Sequence, residues 1–244
     1  LMSNVKIRKA ISYSIDREEM IDAVYGRYNP AYSYVAPAIT FNGSSYRSQV
    51  GEVIEDEYNE YVGDPDKIVA LFQEGLDELG VETPIEDITL TYLTSGSTTE
   101  VQAEREYIQQ SLEETLGLTV ELSVAGDNSL FIADRNEGNY DFFLGGWYSD
   151  YNDPLDFLYT NYTDAYGMSF GGYSNTDYDA LADQLVGETD MQMEQIILLD
   201  DCAFAPIYYA TKQVLLQNWV KDYRTSSFGA SAEFIWTYID GKNQ

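Results

Sequence analysis

The chain has 244 residues, 44% hydrophobic and 14% aromatic, enough to bury a sizeable core and to exclude a disordered or disulfide-stapled chain. Thirteen Lys and Arg against 42 Asp and Glu leave a formal charge of -29, which repels phosphate backbones and sets the chain against nucleic acid as a partner. Histidine is absent, which removes the commonest zinc ligand and every Ser-His or Cys-His nucleophile, and the lone Cys202 cannot form an intrachain disulfide.

The first residues, Leu1 to Lys6, carry no basic region, apolar run or lipid-attachment cysteine, and no stretch approaches eighteen apolar residues. A chain that opens directly into a helical pattern, without a methionine start, reads as part of a longer, exported precursor. Asn4 or Ser3 caps one amphipathic helix through Val5, Ala10, Ile11, Ile15, Met20, Ile21 and Val24, ending at Gly26. Residues 29 to 62 read as a tyrosine-rich, loop-like connection. Asp64 and Pro65 start the next helix, whose buried face is Ile68, Val69, Leu71, Phe72, Leu76 and Leu79 and whose stop is Gly80.

Ile88 to Leu93 alternates as a strand, residues 98 to 116 read as a helix closed by Gly117, and Leu118 to Leu122 alternates again. Together they form a β-α-β unit, which calls for parallel strands joined by a right-handed crossover. A short helix over Ser129 to Glu137 leads to Tyr140-Asp141-Phe142-Phe143-Leu144, a run so continuously apolar that it is placed inside the sheet. Helices follow at 177 to 186 and 191 to 201. Cys202 sits in the apolar run Cys202-Ala203-Phe204-Ala205 and reads as a buried structural thiol, and Pro206 to Tyr209 reads as a late strand.

The most distinctive stretch is Arg135-Asn136-Glu137-Gly138-Asn139-Tyr140-Asp141, then Gly146-Trp147, then Asp150-Tyr151-Asn152-Asp153-Pro154. It resembles the extracytoplasmic solute-binding proteins of peptide ABC importers, the oligopeptide-binding family 5. Ile7-Arg8-Lys9-Ala10 with Ile15-Asp16-Arg17 is similar to the family's signature helix, and Asn29-Pro30-Ala31-Tyr32-Ser33-Tyr34 to the loop behind it. Gly63-Asp64-Pro65-Asp66-Lys67, Tyr173 to Asp179 and Ala205 to Tyr209 follow in family order. The resemblance covers nearly the whole chain but only the C-terminal half of a full-length member.

That resemblance implies an α/β fold: a periplasmic-binding-protein type II-like lobe with a central mixed, mostly parallel sheet flanked by helices. Residues 1–211 would be the C-terminal substrate-binding lobe, and 212–244, with Trp219 and Trp236, would return to an N-terminal lobe, the expected partner within the same protein. The implied role is capture of an oligopeptide ligand for the ABC permease and ATPase subunits of a membrane importer, without catalysis or cofactor. The implied location is extracytoplasmic, as a cell-surface lipoprotein or in the periplasm.

By family position, Asp150 would hold the ligand's amine, since a carboxylate facing an ammonium makes a charge-assisted bond that strengthens as water is excluded. Gly145, Gly146, Trp147, Tyr148 and Ser149 match the segment that pairs with an extended ligand backbone, and the glycines would admit its close approach. They are equally read as ordinary turn glycines. Tyr148, Trp147 and Tyr151 would wall side-chain pockets, with Asn152 and Tyr32 completing the set. Arg135 would hold a carboxylate or form a surface ion pair. Two positions that hold the ligand carboxylate in enterobacterial relatives are Leu144 and Thr98 here, neither charged; Thr98 in its hydroxyl-rich loop would substitute neutral hydrogen bonds. Tyr148 stands where some relatives carry a disulfide cysteine, and the family's helix near Thr189 to Glu194 is longer than these residues supply.

Three other uses of the same residues remain: a surface peptide sensor, a binder of a nickel chelate or sugar, and a glycoside hydrolase with Asp150 and Asp153 as acid and base.

Overall fold

The computed structural model describes residues 1–163, 172–184, 189–230 and 232–242. The chain begins with α1 (Val5–Tyr13), capped by Asn4, whose side-chain oxygen accepts from the Lys6 and Ile7 amides at 2.8 and 3.4 Å. The single helix expected through Val24 is instead two. The Asp16 carboxylate accepts from the Glu19 amide at 2.9 Å and starts α2 (Arg17–Val24), because a short acidic side chain competes for backbone N–H groups and favours a new N-terminus.

Arg17 reinforces the break. Its fully buried guanidinium donates to the carbonyls of Ala31 at 3.1 Å, Pro206 at 2.7 Å and Ser12 at 3.3 Å.

Residues 29 to 62 are more regular than a loop. They form β1 (Asn29–Pro30), the hairpin strands β2 (Thr40–Phe41) and β3 (Ser44–Ser45), α3 (Tyr46–Val50) and α4 (Glu55–Tyr61). Burial of Tyr46, Ile54 and Tyr58 orders these short elements, a tertiary effect that local propensity does not reveal.

The next helix, α5 (Pro65–Leu79), follows its sequence signals: Asp64 caps the Lys67 amide at 3.3 Å and Gly80 ends it in the left-handed region at φ 66°. It packs along α1.

After a 3₁₀ turn at Ile85–Asp87, β4 (Thr89–Ser95), α6 (Thr99–Leu116) and β5 (Thr119–Ala125) form the expected β-α-β unit, with Thr89 to Ser95 in parallel register with Thr119 to Ala125. Thr98 caps α6 and Gly117 closes it. Then come α7 (Asn128–Glu137) and β6 (Phe142–Phe143).

The three-stranded sheet has the order β5-β4-β6, so among the described residues β6 is an edge strand rather than an interior one. The apolar run has another cause. Phe142 stacks on Tyr92 at 4.7 Å within the main core, whereas Phe143 packs on the opposite side against the small cluster of Leu93, Ala125 and Phe131. Both faces are thus covered although one edge is open.

The remaining elements are α8 (Leu155–Leu158), α9 (Thr176–Ala182), α10 (Asp190–Gln195) running into a π-helical turn at Ile196–Asp200, and β7 (Tyr208–Tyr209), antiparallel to β1. The last part of the helix expected at 177 to 186 falls on residues 185–188, outside the described residues. Beyond residue 211 the described residues add the ribbon β8 (Val220–Lys221) and β9 (Tyr238–Ile239), with an antiparallel bridge between Arg224 and Glu233. No helix among the described residues is long and apolar enough to cross a membrane.

Candidate ligand-binding site

The chain leaves β6 at its open edge and runs through Leu144, Gly145 and Gly146 along a cavity of about 600 Å³. Tyr34, Tyr92, Tyr140, Tyr173 and Phe204 wall this space, a largely aromatic lining suited to ligand side chains. Burial holds the hydroxyls of Tyr34 and Tyr140 above the usual tyrosine range, with the Arg135 charge partly opposing the shift at Tyr140. Both rings therefore face the cavity as neutral phenols.

A second wall is a polar network. The Asp201 carboxylate accepts from the Tyr173 hydroxyl and the Asn175 amide, each at 2.7 Å, while its carbonyl accepts from the Arg8 guanidinium.

Past the glycines, the segment turns into a loop organised from below by Asp156. This residue lies in α8 with 6% exposure, and its Oδ2 accepts from the Trp147 indole N–H at 3.0 Å and from the Asp150 amide at 2.9 Å. The Ser149 hydroxyl donates to the Tyr151 carbonyl, and Asp153 accepts from the Leu155 amide at 2.9 Å to begin α8. Asn152 is held on the β2–β3 hairpin by two bonds: its Oδ1 accepts from the Thr40 amide at 2.8 Å and its Nδ2 donates to Thr40 Oγ1 at 2.7 Å.

With its backbone so fixed, the Asp150 side chain is exposed. Among the described residues its carboxylate takes part in no hydrogen bond or ion pair. The backbone groups of Gly145, Gly146 and Tyr148 likewise make no hydrogen bond among the described residues, and Tyr148 is 83% exposed. The arrangement offers an anionic group, open main-chain donors and acceptors, and an aromatic cavity. Burial, followed by Asp156, Asp153 and Asp150, raises the Tyr151 hydroxyl above its ordinary range, a sign of local negative potential.

Of the residues singled out from sequence, Gly145 and Gly146 line the cavity, while Trp147, Tyr148, Ser149, Asp150, Tyr151 and Asn152 share the loop beside it. Arg135 sits in the last turn of α7 near Tyr140. Thr98 is an exposed helix cap, its Oγ1 accepting from the Val101 amide at 3.3 Å. Tyr32 lies in the core, its ring 5.3 Å from that of Tyr58, and does not line the cavity. Sequence reasoning missed Asp156 and did not assign the cavity tyrosines to the site, although Tyr34, Tyr140 and Tyr173 lie in stretches that carry the family resemblance. Among the described residues no group of three or more His, Cys, Asp or Glu is placed to hold a metal ion.

A helix-flanked parallel sheet with an open aromatic cavity and a glycine-led loop beside its edge strand defines an α/β lobe of the binding-protein type. The chain belongs to the bacterial extracellular solute-binding proteins, family 5, whose middle region matches residues 1–169.

It is 29% identical over 236 residues to the oligopeptide-binding protein OppA of Bacillus subtilis, covering 91% of this chain and 39% of that protein. The peptide-bound OppA of Listeria monocytogenes superposes with a TM-score of 0.79 at 31% identity, over 97% of this chain and 45% of the other. A crystal structure of a peptide-binding protein of a peptide ABC transporter matches with a TM-score of 0.71 at 25% identity, over 85% of this chain and 91% of its own length. The chain thus spans less than half the length of the Bacillus and Listeria proteins.

Proposed function

We propose that this chain is the C-terminal lobe of a substrate-binding component of an ABC importer, capturing oligopeptides outside the cytoplasm and catalysing no reaction. The observation that carries this reading is the exposed Asp150 carboxylate, its main chain pinned at 2.9 Å, beside the open backbone of Gly145 and Gly146 at an aromatic cavity. A peptide's ammonium meets the carboxylate, its backbone meets the glycine segment, and one or more side chains enter the cavity. The names of the Bacillus and Listeria relatives support a peptide as the ligand.

The domain division follows. Residues 1–211 form the ligand lobe, and 212–244 return to an N-terminal lobe, which supplies the facing wall. Supporting this, Leu215 is fully exposed and Ile235, Phe234 and Trp236 are 80, 67 and 59% exposed, an apolar surface that a second lobe would bury. Arg135, Thr98 and Tyr32 contribute less directly: Arg135 through its charge on Tyr140, Thr98 as the cap of α6, and Tyr32 as a core ring against Tyr58.

Titration calorimetry with trialanine and N-acetyl-trialanine tests the reading. The free-amine peptide is expected to bind at least about tenfold more tightly, and Asp150→Asn to erase that preference. Failure to bind any peptide, with retention of a nickel chelate or sugar instead, would replace the reading with the non-peptide alternative.

A further inference from the structure

We propose that Asp156 is the positioning residue of the ligand loop: its buried carboxylate sets the geometry of Trp147 and Asp150 and places a second negative charge behind the ligand's amine. The inference rests on the peptide reading for the identity of the ligand, but its structural half stands without it.

One oxygen does both tasks. Asp156 Oδ2 accepts from the Trp147 indole at 3.0 Å and from the Asp150 amide at 2.9 Å, so it ties together the two ends of a four-residue turn. The indole is thereby fixed in rotation, and the Asp150 Cα is fixed in place, leaving only two side-chain torsions free for its carboxylate.

No Lys or Arg among the described residues forms an ion pair with Asp156. Among the described residues its carboxylate meets the N–H dipoles of Trp147 and Asp150 and no cation. An acid buried to this degree without a cation leaves a poorly screened field, and Asp150, whose own amide donates to it at 2.9 Å, carries an exposed carboxylate beside it. The Asp156 carboxylate at the start of α8 and the Asp150 carboxylate on the loop repel each other, and a cation arriving at Asp150 relieves that repulsion. Burial first, and then the charges of Asp156, Asp153 and Asp150 in that order, hold the neighbouring Tyr151 hydroxyl above its ordinary range. A purely structural acceptor at this position would need no charge, since an amide oxygen also accepts two N–H bonds.

The experiment compares Asp156→Asn and Asp156→Glu with the unchanged residue, in an intact chain whose other indoles are removed by Trp219→Phe and Trp236→Phe. The first readout is the Trp147 indole N–H proton resonance, which a carboxylate partner shifts downfield. Asp156→Asn is expected to move it upfield, and Asp156→Glu to restore at least half the shift. In Asp156→Ala, where no acceptor remains, the resonance is expected to move furthest; an unmoved resonance in that variant overturns the positioning role whether or not peptides bind.

The second readout is affinity for trialanine against N-acetyl-trialanine. Asp156→Asn is expected to weaken trialanine about tenfold, to leave the acetylated peptide within about twofold, and to flatten the salt dependence. Equal weakening of both peptides, or none, overturns the electrostatic role. If the unchanged protein binds neither peptide, the peptide reading fails, and the resonance alone decides whether Asp156 positions the loop.

Discussion

Gly75 of α5 lies against Ile7 of α1 so closely that a Cβ at position 75 would fall 2.6 Å from Ile7 Cγ1 and 2.9 Å from the capping Oδ1 of Asn4. Glycine inside a helix ordinarily costs about 1 kcal/mol relative to alanine. Here its missing side chain lets two helices approach and lets the Asn4 cap keep its geometry. Gly75→Ala is therefore expected to lower stability by about 1–3 kcal/mol in urea unfolding, against the usual sign for this substitution. Gain of stability would show that α1 can shift away without loss.

Arg17 supplies a second prediction. Its guanidinium is buried over the Tyr58 ring, 4.2 Å from the centroid, and joins the end of α1 to the carbonyls of Ala31 and Pro206. Arg17→Met would leave these carbonyls without their donor and is expected to cost about 3 kcal/mol. Arg17→Lys should recover less than half of that, because a compact ammonium cannot span acceptors that the planar fork reaches together. Denaturant midpoints of the two variants decide the matter.

A third concerns acidity. Burial holds the Glu104 carboxyl above the ordinary carboxylate range, with hydrogen bonds from Tyr208 and Tyr25 drawing it partly back. The folded state thus keeps this proton to a higher pH than the unfolded chain does. Its contribution to stability is full below the unfolded value and is lost as pH rises from that value through the folded one. The melting temperature of Glu104→Gln, relative to the unchanged protein, is expected to rise between pH 4 and pH 7; a constant difference would contradict the assignment.

Cys202 gives a fourth. Burial pushes its thiol up to about 11, with Arg8, Lys9 and Arg17 acting the other way. Alkylation by iodoacetamide at pH 8 is expected to run at least about tenfold slower in the native protein than in urea. Comparable rates would mean that the thiol is reached without unfolding.

The parts of this fold that were legible in sequence are those decided within one turn of chain. Asp64-Pro65, Gly80, Thr98 and Gly117 mark helix ends because caps and left-handed stops are local chemistry. The break at Asp16 was hidden because apolar spacing continues across it, and the Asp16 cap is reinforced by acceptors distant in sequence, the carbonyls of Ala31 and Pro206. The edge position of β6 was hidden because its covering comes from two different clusters.

The site divides the same way. Motif order brought out Gly145 to Asn152, but Asp156 had no motif of its own: it lies six residues beyond Asp150 in the first turn of the short α8, and no spacing marks it as an acceptor for the loop. Tyr32 shared a motif with Tyr34, and only packing separated the core ring from the cavity ring.

The paired bonds between Asn152 and Thr40 have a practical corollary. They make the β2–β3 turn, with Asn42 at φ 50° and Gly43 at φ 82°, a lever arm attached to the ligand loop. A solvatochromic dye joined through a cysteine at position 42 stands outside the cavity lining, on the hairpin that Asn152 grips. It would turn occupancy of the loop into an optical signal, making the lobe the starting point for a reagentless sensor.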